Sequence, residues 1–374
     1  MERAAAHGDP RPAMVRTLQR RLAFAVDLRR GRHDAALRSI AHAAARSGAR
    51  SLDAVVLDGV IRVALSNPES GSLPERSARL DQLVGAMGLR VRFVRGSEVS
   101  QPALDPDRRA RRGLVRAAGF HVARIASRWQ GALDDHDPEE VHALRVSLRR
   151  LKATLWAIGD GALDDRLRAL RAWARALAPL TGALRDLDVA LASLRGLAPD
   201  AASLAHVRGR LLAARRHARD AMFAHLRRAD VVATLRAAMS AEPRLREPRG
   251  RARRVARRAV ARGLRRLARA LDGDLQHPEG YHLIRRRARR VRDVVEVTEG
   301  ALRKRDRAWR DRLKAVQSQL GDLHDLDVLT GLLADDDRAL DGLRGAIERH
   351  RATLVAGLGA PLALLAVELG EARR

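Results

Sequence analysis

Two motifs occur twice in this chain at nearly the same spacing, and this duplication restricts the possible folds more than any other feature. Residues 138–152 read PEEVHALRVSLRRLK and residues 278–292 read PEGYHLIRRRARRVR, with their histidines 140 residues apart. Residues 180–189 read LTGALRDLDV and residues 319–328 read QLGDLHDLDV, with their aspartates 139 residues apart. Two separate motifs with almost one offset indicate a duplicated unit of about 140 residues.

The composition predicts that each repeat is built from helices. Hydrophobic residues make up 46% of the chain and are mostly Ala, Leu and Val, with four Trp, four Phe and one Tyr. Ala and Leu favour helices, whereas sheets rely on aromatic and β-branched side chains. Apolar residues recur with a period near 3.6 in residues 111–133, 141–158, 163–180 and 204–228. We therefore expect an all-α fold with two pseudo-repeated antiparallel helical bundles.

A cluster of Gly, Ser, Pro and Asp at residues 96–107 separates an N-terminal region from the repeats. The expected domains are residues 1–107 and residues 108–374, and the second consists of repeats at about 108–245 and 246–374. Residues 1–107 hold 17 Arg and 12 acidic residues, whereas the remainder holds 56 basic and 33 acidic residues. Most of the positive charge therefore belongs to the repeats.

The N-terminal region is expected to be a small helical segment. Residues 39–51 have the small-residue pattern of a helix, a glycine-containing turn and a second helix. Residues 80–94 resemble the end of a repressor-type helix-turn-helix domain, which would bind DNA. An ordinary short helical domain or arm is the alternative interpretation.

The charge of the chain predicts a polyanionic partner. The formal net charge is +28, and Lys152, Lys304 and Lys314 are the only lysines among 73 basic residues. The planar guanidinium group of arginine matches phosphate oxygens in a bidentate manner, and a strongly positive surface attracts polyanions. A GC-rich genome would also produce a composition rich in Ala and Arg, so the composition alone does not identify the partner.

Several classes of protein are disfavoured by what the sequence lacks. The chain has no cysteine, which excludes disulfides, thiolate metal sites and cysteine nucleophiles. The longest apolar run, residues 354–369, is expected to be interrupted by Gly357, Gly359 and Pro361, so no membrane partner is predicted. The N-terminus has no apolar secretory signal, which favours a cytoplasmic location. Because there is no GxxxxGK(S/T) loop or Gly-x-Ser-x-Gly motif, we expect a non-enzymatic protein without a cofactor.

An apolar stripe and a basic stripe run side by side along the helix predicted at the start of each repeat. The apolar stripe of the first repeat comprises Val141, Leu144, Leu148, Leu151 and Leu155. The adjacent basic stripe of the first repeat comprises His142, Arg145, Arg149 and Lys152. The basic stripe of the second repeat comprises His282, Arg285, Arg289 and Arg292. The first stripe is widened by Arg150, and the second by Arg286 and Arg290. Like charges three and four residues apart destabilise an isolated helix, and a bound polyanion would offset this repulsion. A solvated basic face is the alternative interpretation.

The His-x-x-Arg-x-x-x-Arg-Arg-x-(Lys/Arg) pattern and the later Gly-x-x-(Arg/His)-Asp-Leu-Asp-Val segment, both in duplicate, resemble the CHAD domain, the conserved histidine α-helical domain. The resemblance covers residues 108–374. It implies an all-helical fold of two four-helix bundles around a basic cavity that binds inorganic polyphosphate, and an association with polyphosphate granules. The implied ligands are His142, Arg145, Arg149, Arg150, Lys152, Arg185, His282, Arg285, Arg289, Arg290 and Arg292. His324 replaces the basic residue of the second Asp-Leu-Asp-Val segment.

Four aspartates of these segments need a separate interpretation. Asp186, Asp188, Asp325 and Asp327 could bind a metal, cap a helix or orient arginines by charge-assisted hydrogen bonds. Residues two apart on a helix point to different faces, which disfavours a metal cluster and favours the orienting role. A phosphohydrolase that uses His324 and Asp325 would need further ligands from other helices, and no such pattern is evident.

Nucleic acid is the alternative partner, because it also presents phosphates. Single-strand binders use aromatic stacking platforms and base-edge readers use Asn and Gln, and this chain is poor in aromatic residues and has one Asn. Polyphosphate has no bases, so a site made of Arg, Lys and His suits it. The sequence therefore favours inorganic polyphosphate as the ligand, in the cytoplasm or at polyphosphate granules with their proteins as further partners, over nucleic acid.

Overall fold

The structure of the chain is a computed structural model that describes most of the two repeats and parts of the N-terminal region. The described residues are 18, 34–46, 51–57, 60–66, 82, 84–86, 88–95, 101–134, 138–194, 201–240, 250–273, 275, 277–333 and 341–372. Of the predicted break at residues 96–107, the part at 96–100 lies outside the described residues.

Helices dominate the described residues. In chain order the elements are α1 (Asp34–Ala45), β1 (Ser51–Leu57), β2 (Val60–Ser66), β3 (Arg90–Arg95), α2 (Ala110–Asp134), α3 (Pro138–Ile158), α4 (Asp165–Ser193), α5 (Ala201–Leu226), α6 (Ala229–Ser240), α7 (Ala252–Leu271), α8 (Pro278–Thr298), α9 (Lys304–Arg307), α10 (Trp309–Leu332) and α11 (Asp341–Glu371). Short 3-10 helices at Asp160–Ala162 and Glu299–Ala301 follow α3 and α8. The helical fold class is confirmed.

The chain divides into two compact units that each draw on separate stretches of sequence. The first unit comprises Met1–Pro102, Val115–Leu148 and Ala229–Pro243, and the second comprises the remaining residues. The helix α3 is divided between them, because the division falls after Leu148. The second unit holds both Asp-Leu-Asp-Val segments and all of α8, so most of the predicted site belongs to it.

The prediction of a small helical N-terminal region is wrong for residues 51–57, 60–66 and 90–95, which form strands. The first unit contains a three-stranded sheet in which β1 pairs antiparallel with β2, and β2 pairs parallel with β3. Residues 90–94, the last part of the segment that resembles the end of a helix-turn-helix domain, lie in β3, and the helix α1 is followed by β1 and not by a second helix. Val55, Val56 and Ile61 are fully buried, and such β-branched residues favour a half-buried pleated surface over a helix.

The helices of the first unit carry an ion pair and several hydrogen bonds. Nη1 of Arg128 on α2 donates to Oε1 of Glu140 on α3 at 3.0 Å, and both side chains are buried. His121 lies within hydrogen-bonding distance of Gln101, with 2.9 Å between Nε2 and Oε1. Phe120 and Ala123 of α2 pack with Val55 of β1. These contacts join α2 to the sheet within the first unit.

In the second unit, helices from both repeats share one core. The helix α8 packs on α7 and α10, α10 packs on α11, and α4 packs on α5. Leu187 of α4, Leu211 of α5, Leu329 of α10 and Ile347 of α11 belong to one buried cluster, which therefore joins the two repeats.

Local sequence signals account for several helix ends. Pro278 is the first residue of α8, a position that tolerates proline because the first-turn N–H groups have no helical partner. Gly159 follows α3 with a φ of 90°, a conformation that side-chain-bearing residues adopt at a cost. The side chain of Asp164 then accepts a hydrogen bond from the backbone N–H of Leu167 at 2.8 Å and caps α4.

The expected interruption of the C-terminal apolar segment is wrong. Gly357, Gly359 and Pro361 all lie inside α11, which continues without a break from Asp341 to Glu371. Proline removes one backbone donor and crowds the carbonyl four residues earlier, here that of the exposed Gly357. Of the described residues, α11 is the one helix with the length and apolar composition needed to cross a membrane, and 22% of its apolar window is buried.

Candidate anion-binding site

The basic stripe of the second repeat lies beside a buried seam on α8. Ile284, Ala288 and Val291 are buried, at the three- and four-residue spacing that places side chains on one helix face. The predicted basic residues of this helix lie next to that face and are half-buried. They are His282, Arg285, Arg289, Arg290 and Arg292. The helix therefore holds its cations at the edge of the core, and only Arg286 of the widened stripe is exposed.

The second half of the α3 stripe faces α8 in the same unit. Nε of Arg149 donates to Oδ1 of Asp293 at 2.8 Å, and Nη2 of Arg150 donates to Oε2 of Glu296 at 3.2 Å. Nε of Arg292 donates to the other oxygen of Glu296 at 3.2 Å. Glu296 is thus shared by arginines of both repeats. Two other stripe residues of α3, His142 and Arg145, are half-buried and belong to the first unit.

Asp293 of α8 has a buried carboxyl group. The residue is 4% exposed. Burial raises the pKa of Asp293 to about 6, although the charges of Arg149 and Arg289 and the hydrogen bond from Arg149 oppose this rise. Its ionised form therefore depends on its arginine partners, and it provides negative charge where the two stripes meet.

Two half-buried cations, Lys152 and Arg290, lie close enough to other cations for their pKa values to be affected. Burial lowers the pKa of Lys152, and the positive charges of Arg290 and Arg175 lower it further. Burial also lowers the pKa of Arg290, with Arg287, Arg266 and Arg175 adding to the effect and Asp293 opposing it. Positive charges that destabilise one another in a partly desolvated site favour a bound anion. This group of Lys152, Arg175, Arg266, Arg287 and Arg290 is called the cation cluster below.

The second aspartate of each Asp-Leu-Asp-Val segment binds an arginine of the following helix. Oδ1 of Asp188 accepts from Nε of Arg215 at 2.6 Å, and Oδ1 of Asp327 accepts from Nε of Arg351 at 2.8 Å. In each pair the carboxylate is well buried and the arginine is less than one-third exposed. The duplicated aspartates therefore connect α4 to α5 and α10 to α11 in the same way.

Two histidines of the second repeat contact each other. Nδ1 of His324 lies 3.0 Å from Nδ1 of His282, and Nε2 of His282 lies 3.2 Å from Oδ2 of Asp327. Nε2 of His324 lies 3.7 Å from Oδ2 of Asp186, so the histidine pair lies between carboxylates of α4 and α10. Burial lowers the pKa of His282, and His324 lowers it further, whereas Asp327 opposes the shift.

The first aspartate of the second segment has a different environment. Burial raises the pKa of Asp325, while Arg285 and His324 oppose the rise and Asp186 reinforces it. Arg185, the basic position of the first segment, is half-buried on α4. Within the described residues there is no group of three or more His, Asp or Glu side chains arranged to hold a metal ion.

Comparison with known proteins identifies the family. The family model of the CHAD domain matches residues 116–334, more than half of the chain. The chain belongs to the CHAD domain family. The crystal structure of the CHAD domain from the plant Ricinus communis is similar, with 24% sequence identity, a TM-score of 0.56 and coverage of 71% of this chain and 95% of that chain. PptA from Streptomyces chartreusis gives 18% identity, a TM-score of 0.49 and coverage of 69% and 98%. No curated protein matches the chain.

Several polar residues of this CHAD domain were absent from the sequence prediction. Arg175, Asp293 and Glu296 contribute to the region where the stripes meet, and Arg215 and Arg351 bind the duplicated aspartates. Arg215 and Arg351 lie in the corresponding helices that follow the two Asp-Leu-Asp-Val segments, and this correspondence was the available sequence signal. The pairing of Arg149 with Asp293 links residues 144 positions apart, so no local pattern could have indicated it.

Proposed function

We propose that the CHAD domain of this protein binds inorganic polyphosphate, with the cation cluster as the central part of the site in the second unit. The observation that carries the proposal is the position of two half-buried cations, Lys152 and Arg290, beside further cations. Burial lowers the pKa of each, and positively charged neighbours lower it further. Keeping such charges together costs free energy that a bound polyanion recovers. Membership of a family associated with polyphosphate supports the same conclusion.

The proposed ligand contacts follow the half-buried stripes. Arg285, Arg289, Arg290 and Arg292 of α8, together with Lys152 of α3, would bind successive phosphates. Arg149 and Arg150 are held by Asp293 and Glu296 and would contribute through their remaining donors. The paired aspartates would orient arginines and the histidine pair, a role supported by their hydrogen bonds to Arg215 and Arg351.

Nucleic acid is the second candidate ligand, because a row of arginines also suits its backbone phosphates. The chain has one Asn and few aromatic residues, so it offers little for reading or stacking bases. Residues 90–95 form the strand β3, so this end of the segment that resembles a helix-turn-helix domain offers no recognition helix for DNA. We propose that the protein binds its ligand in the cytoplasm without a catalytic step, and that granule association follows from polyphosphate binding.

A competition titration tests this proposal. The full chain is titrated with fluorescent long-chain polyphosphate at two salt concentrations, and duplex DNA and single-stranded RNA are added as competitors. Affinity for polyphosphate should fall with salt, because counterions are released on binding, and nucleic acid should compete poorly at equal phosphate concentration. Equal or better competition by DNA would contradict the proposal. Release of phosphate when the protein is incubated with polyphosphate would contradict the absence of a catalytic step.

A further inference from the structure

The C-terminal half of α11 presents an apolar surface to solvent. Leu364 is 62% exposed and Val367 is 60% exposed, and Ala356, Ala360 and Ala363 around them are also exposed. The opposite face packs in the second unit through Leu358, Leu362, Leu365 and Leu369. A helix that is apolar on every side is normally buried all round, so the exposed side of α11 indicates a partner.

An arginine-rich groove of about 1110 Å³ lies beside this helix in the same unit. Seven arginines and four carboxylates line the groove, which gives it a formal charge of +3. Three of the arginines face carboxylates at 3.5–3.8 Å, namely Arg253 with Asp107, Arg257 with Asp306 and Arg312 with Glu368. Arg254, Arg258 and Arg305 are exposed on its wall.

The groove and the exposed apolar side of α11 are continuous. Glu368 and Glu371 of α11 line the groove. Leu364 lies one helical turn before Glu368, and Val367 directly precedes it. Residues four apart lie on one helix face, so the apolar surface of α11 borders the arginine groove.

We propose that this combined surface docks on an anionic lipid bilayer. Arginines of the groove would bind phosphate headgroups, and Leu364 and Val367 would enter the boundary between headgroups and acyl chains. Peripheral membrane proteins combine these two contributions, because neither a short apolar insertion nor a basic patch holds a protein firmly by itself. The helix would lie on the membrane and not span it, because Leu358 and Leu365 belong to the core of the unit.

Charge favours a lipid surface over a second copy of the chain. Each copy has a net charge of +28 and would bring the same arginine groove to the contact, so the two surfaces would repel each other. Soluble polyphosphate would satisfy the arginines but has no apolar part to cover Leu364 and Val367. The proposal also replaces the expectation of no membrane partner, which depended on an interruption of α11 that does not occur.

A vesicle flotation assay with the full chain tests the proposal. Vesicles of phosphatidylcholine alone are compared with vesicles that contain equal parts of phosphatidylglycerol and phosphatidylcholine. The wild-type chain should float with the anionic vesicles, and the variant Leu364→Glu/Val367→Glu should bind them at least about tenfold more weakly, because it places charges where apolar groups must be buried. The matched control Leu212→Glu, at an exposed leucine of α5, should change binding by less than about twofold.

A second matched pair of variants tests the contribution of the groove arginines to membrane binding. Arg254→Ala/Arg258→Ala should weaken flotation more than Arg208→Ala/Arg216→Ala, which removes the same charge from exposed positions of α5. In all these variants the affinity for polyphosphate should change no more than in any other variant of the same net charge, which separates this proposal from the proposed function. Flotation of Leu364→Glu/Val367→Glu at the wild-type level would overturn the proposal. A wild-type dimer that becomes a monomer in this variant, with vesicle binding unchanged, would also overturn it.

Discussion

The imidazole rings of His282 and His324 meet with their Nδ1 atoms 3.0 Å apart and their planes at 83°. At this distance one Nδ1 donates a proton and the other accepts it, so at most one of the two rings is an imidazolium. Nε2 of His282 also lies 3.2 Å from Oδ2 of Asp327. Burial and the neighbouring His324 both lower the pKa of His282, which favours His282 as the neutral ring of the pair.

Replacing His324 should raise the pKa of His282. In the variant His324→Gln the second-largest cause of the lowered pKa is removed, while the largest cause, burial, remains. The pKa of His282 should therefore move up but stay below its ordinary value of 6.5. Titration of the histidine ring signals by NMR measures this. The control His217→Gln, at an exposed site on α5, should leave His282 unchanged, and an unchanged value in His324→Gln would contradict the contact.

The buried carboxyl of Asp293 should make stability depend on pH. Its folded-state pKa of about 6 is above the ordinary value of 3.8, so between these values the folded state binds more protons than the unfolded state. Stability from this group is therefore present below pH 3.8 and is lost as the pH rises to about 6. The loss is up to about 3 kcal/mol, since one pKa unit corresponds to about 1.4 kcal/mol.

The variant Asp293→Asn isolates this effect from all other titrating groups. The free energy of unfolding is measured by urea denaturation of the variant and the wild-type chain from pH 4 to pH 7. The variant should gain stability relative to the wild-type chain as the pH rises, because it never ionises. A difference that stays constant over this range would show that Asp293 keeps an ordinary pKa.

The ion pair of Asp327 with Arg351 should contribute to the stability of the fold. In Arg351→Ala the mostly buried carboxylate loses its charge-assisted hydrogen bond of 2.8 Å, which should cost about 1.5–3 kcal/mol of stability. Arg215→Ala should have a similar cost through Asp188. Arg108→Ala, which removes an exposed pair with Asp105, should cost less than about 0.5 kcal/mol. A double-mutant cycle with Asp327→Ala that shows no coupling would contradict the pairing.

The first unit has a buried ion pair of its own. Removing one partner in Glu140→Ala leaves the buried guanidinium of Arg128 without its main counter-charge, which should cost about 3–5 kcal/mol. The double variant Arg128→Met/Glu140→Leu should recover much of that loss, because apolar residues of similar size replace both charges. Denaturation followed by circular dichroism measures both, with Glu139→Gln at an exposed neighbouring position as the control. Equal losses in the single and double variants would show that packing, and not charge, dominates there.

The sequence indicated the local features of the fold and of the site, because each depends on periodicity. The helices α2 to α5 lie close to the predicted segments, and the apolar stripe from Val141 to Leu155 is fully buried. The duplicated Asp-Leu-Asp-Val segments likewise lie at corresponding positions on α4 and α10.

Features that depend on contacts between distant residues could not be predicted. The pair of His282 with His324 and the pair of Arg149 with Asp293 join residues on different helices. The N-terminal sheet was missed although Asp58-Gly59, a dipeptide favoured in hairpins, separates two runs rich in valine. Gly357, Gly359 and Pro361 were expected to interrupt the C-terminal apolar run, but the buried leucines on one side of α11 hold the helix together past them.

The most direct test of the proposed function is a titration of matched variants with long-chain polyphosphate. Lys152→Ala/Arg175→Ala/Arg290→Ala removes three charges from the cation cluster, and Arg208→Ala/Arg216→Ala/Arg307→Ala removes three exposed charges elsewhere in the second unit. Both variants have the same net charge, so a general attraction to the positive chain would weaken equally in both. We expect the cluster variant to lose at least about tenfold more affinity than its control at the higher salt concentration. Equal losses in the two variants would contradict a defined polyphosphate site in the second unit.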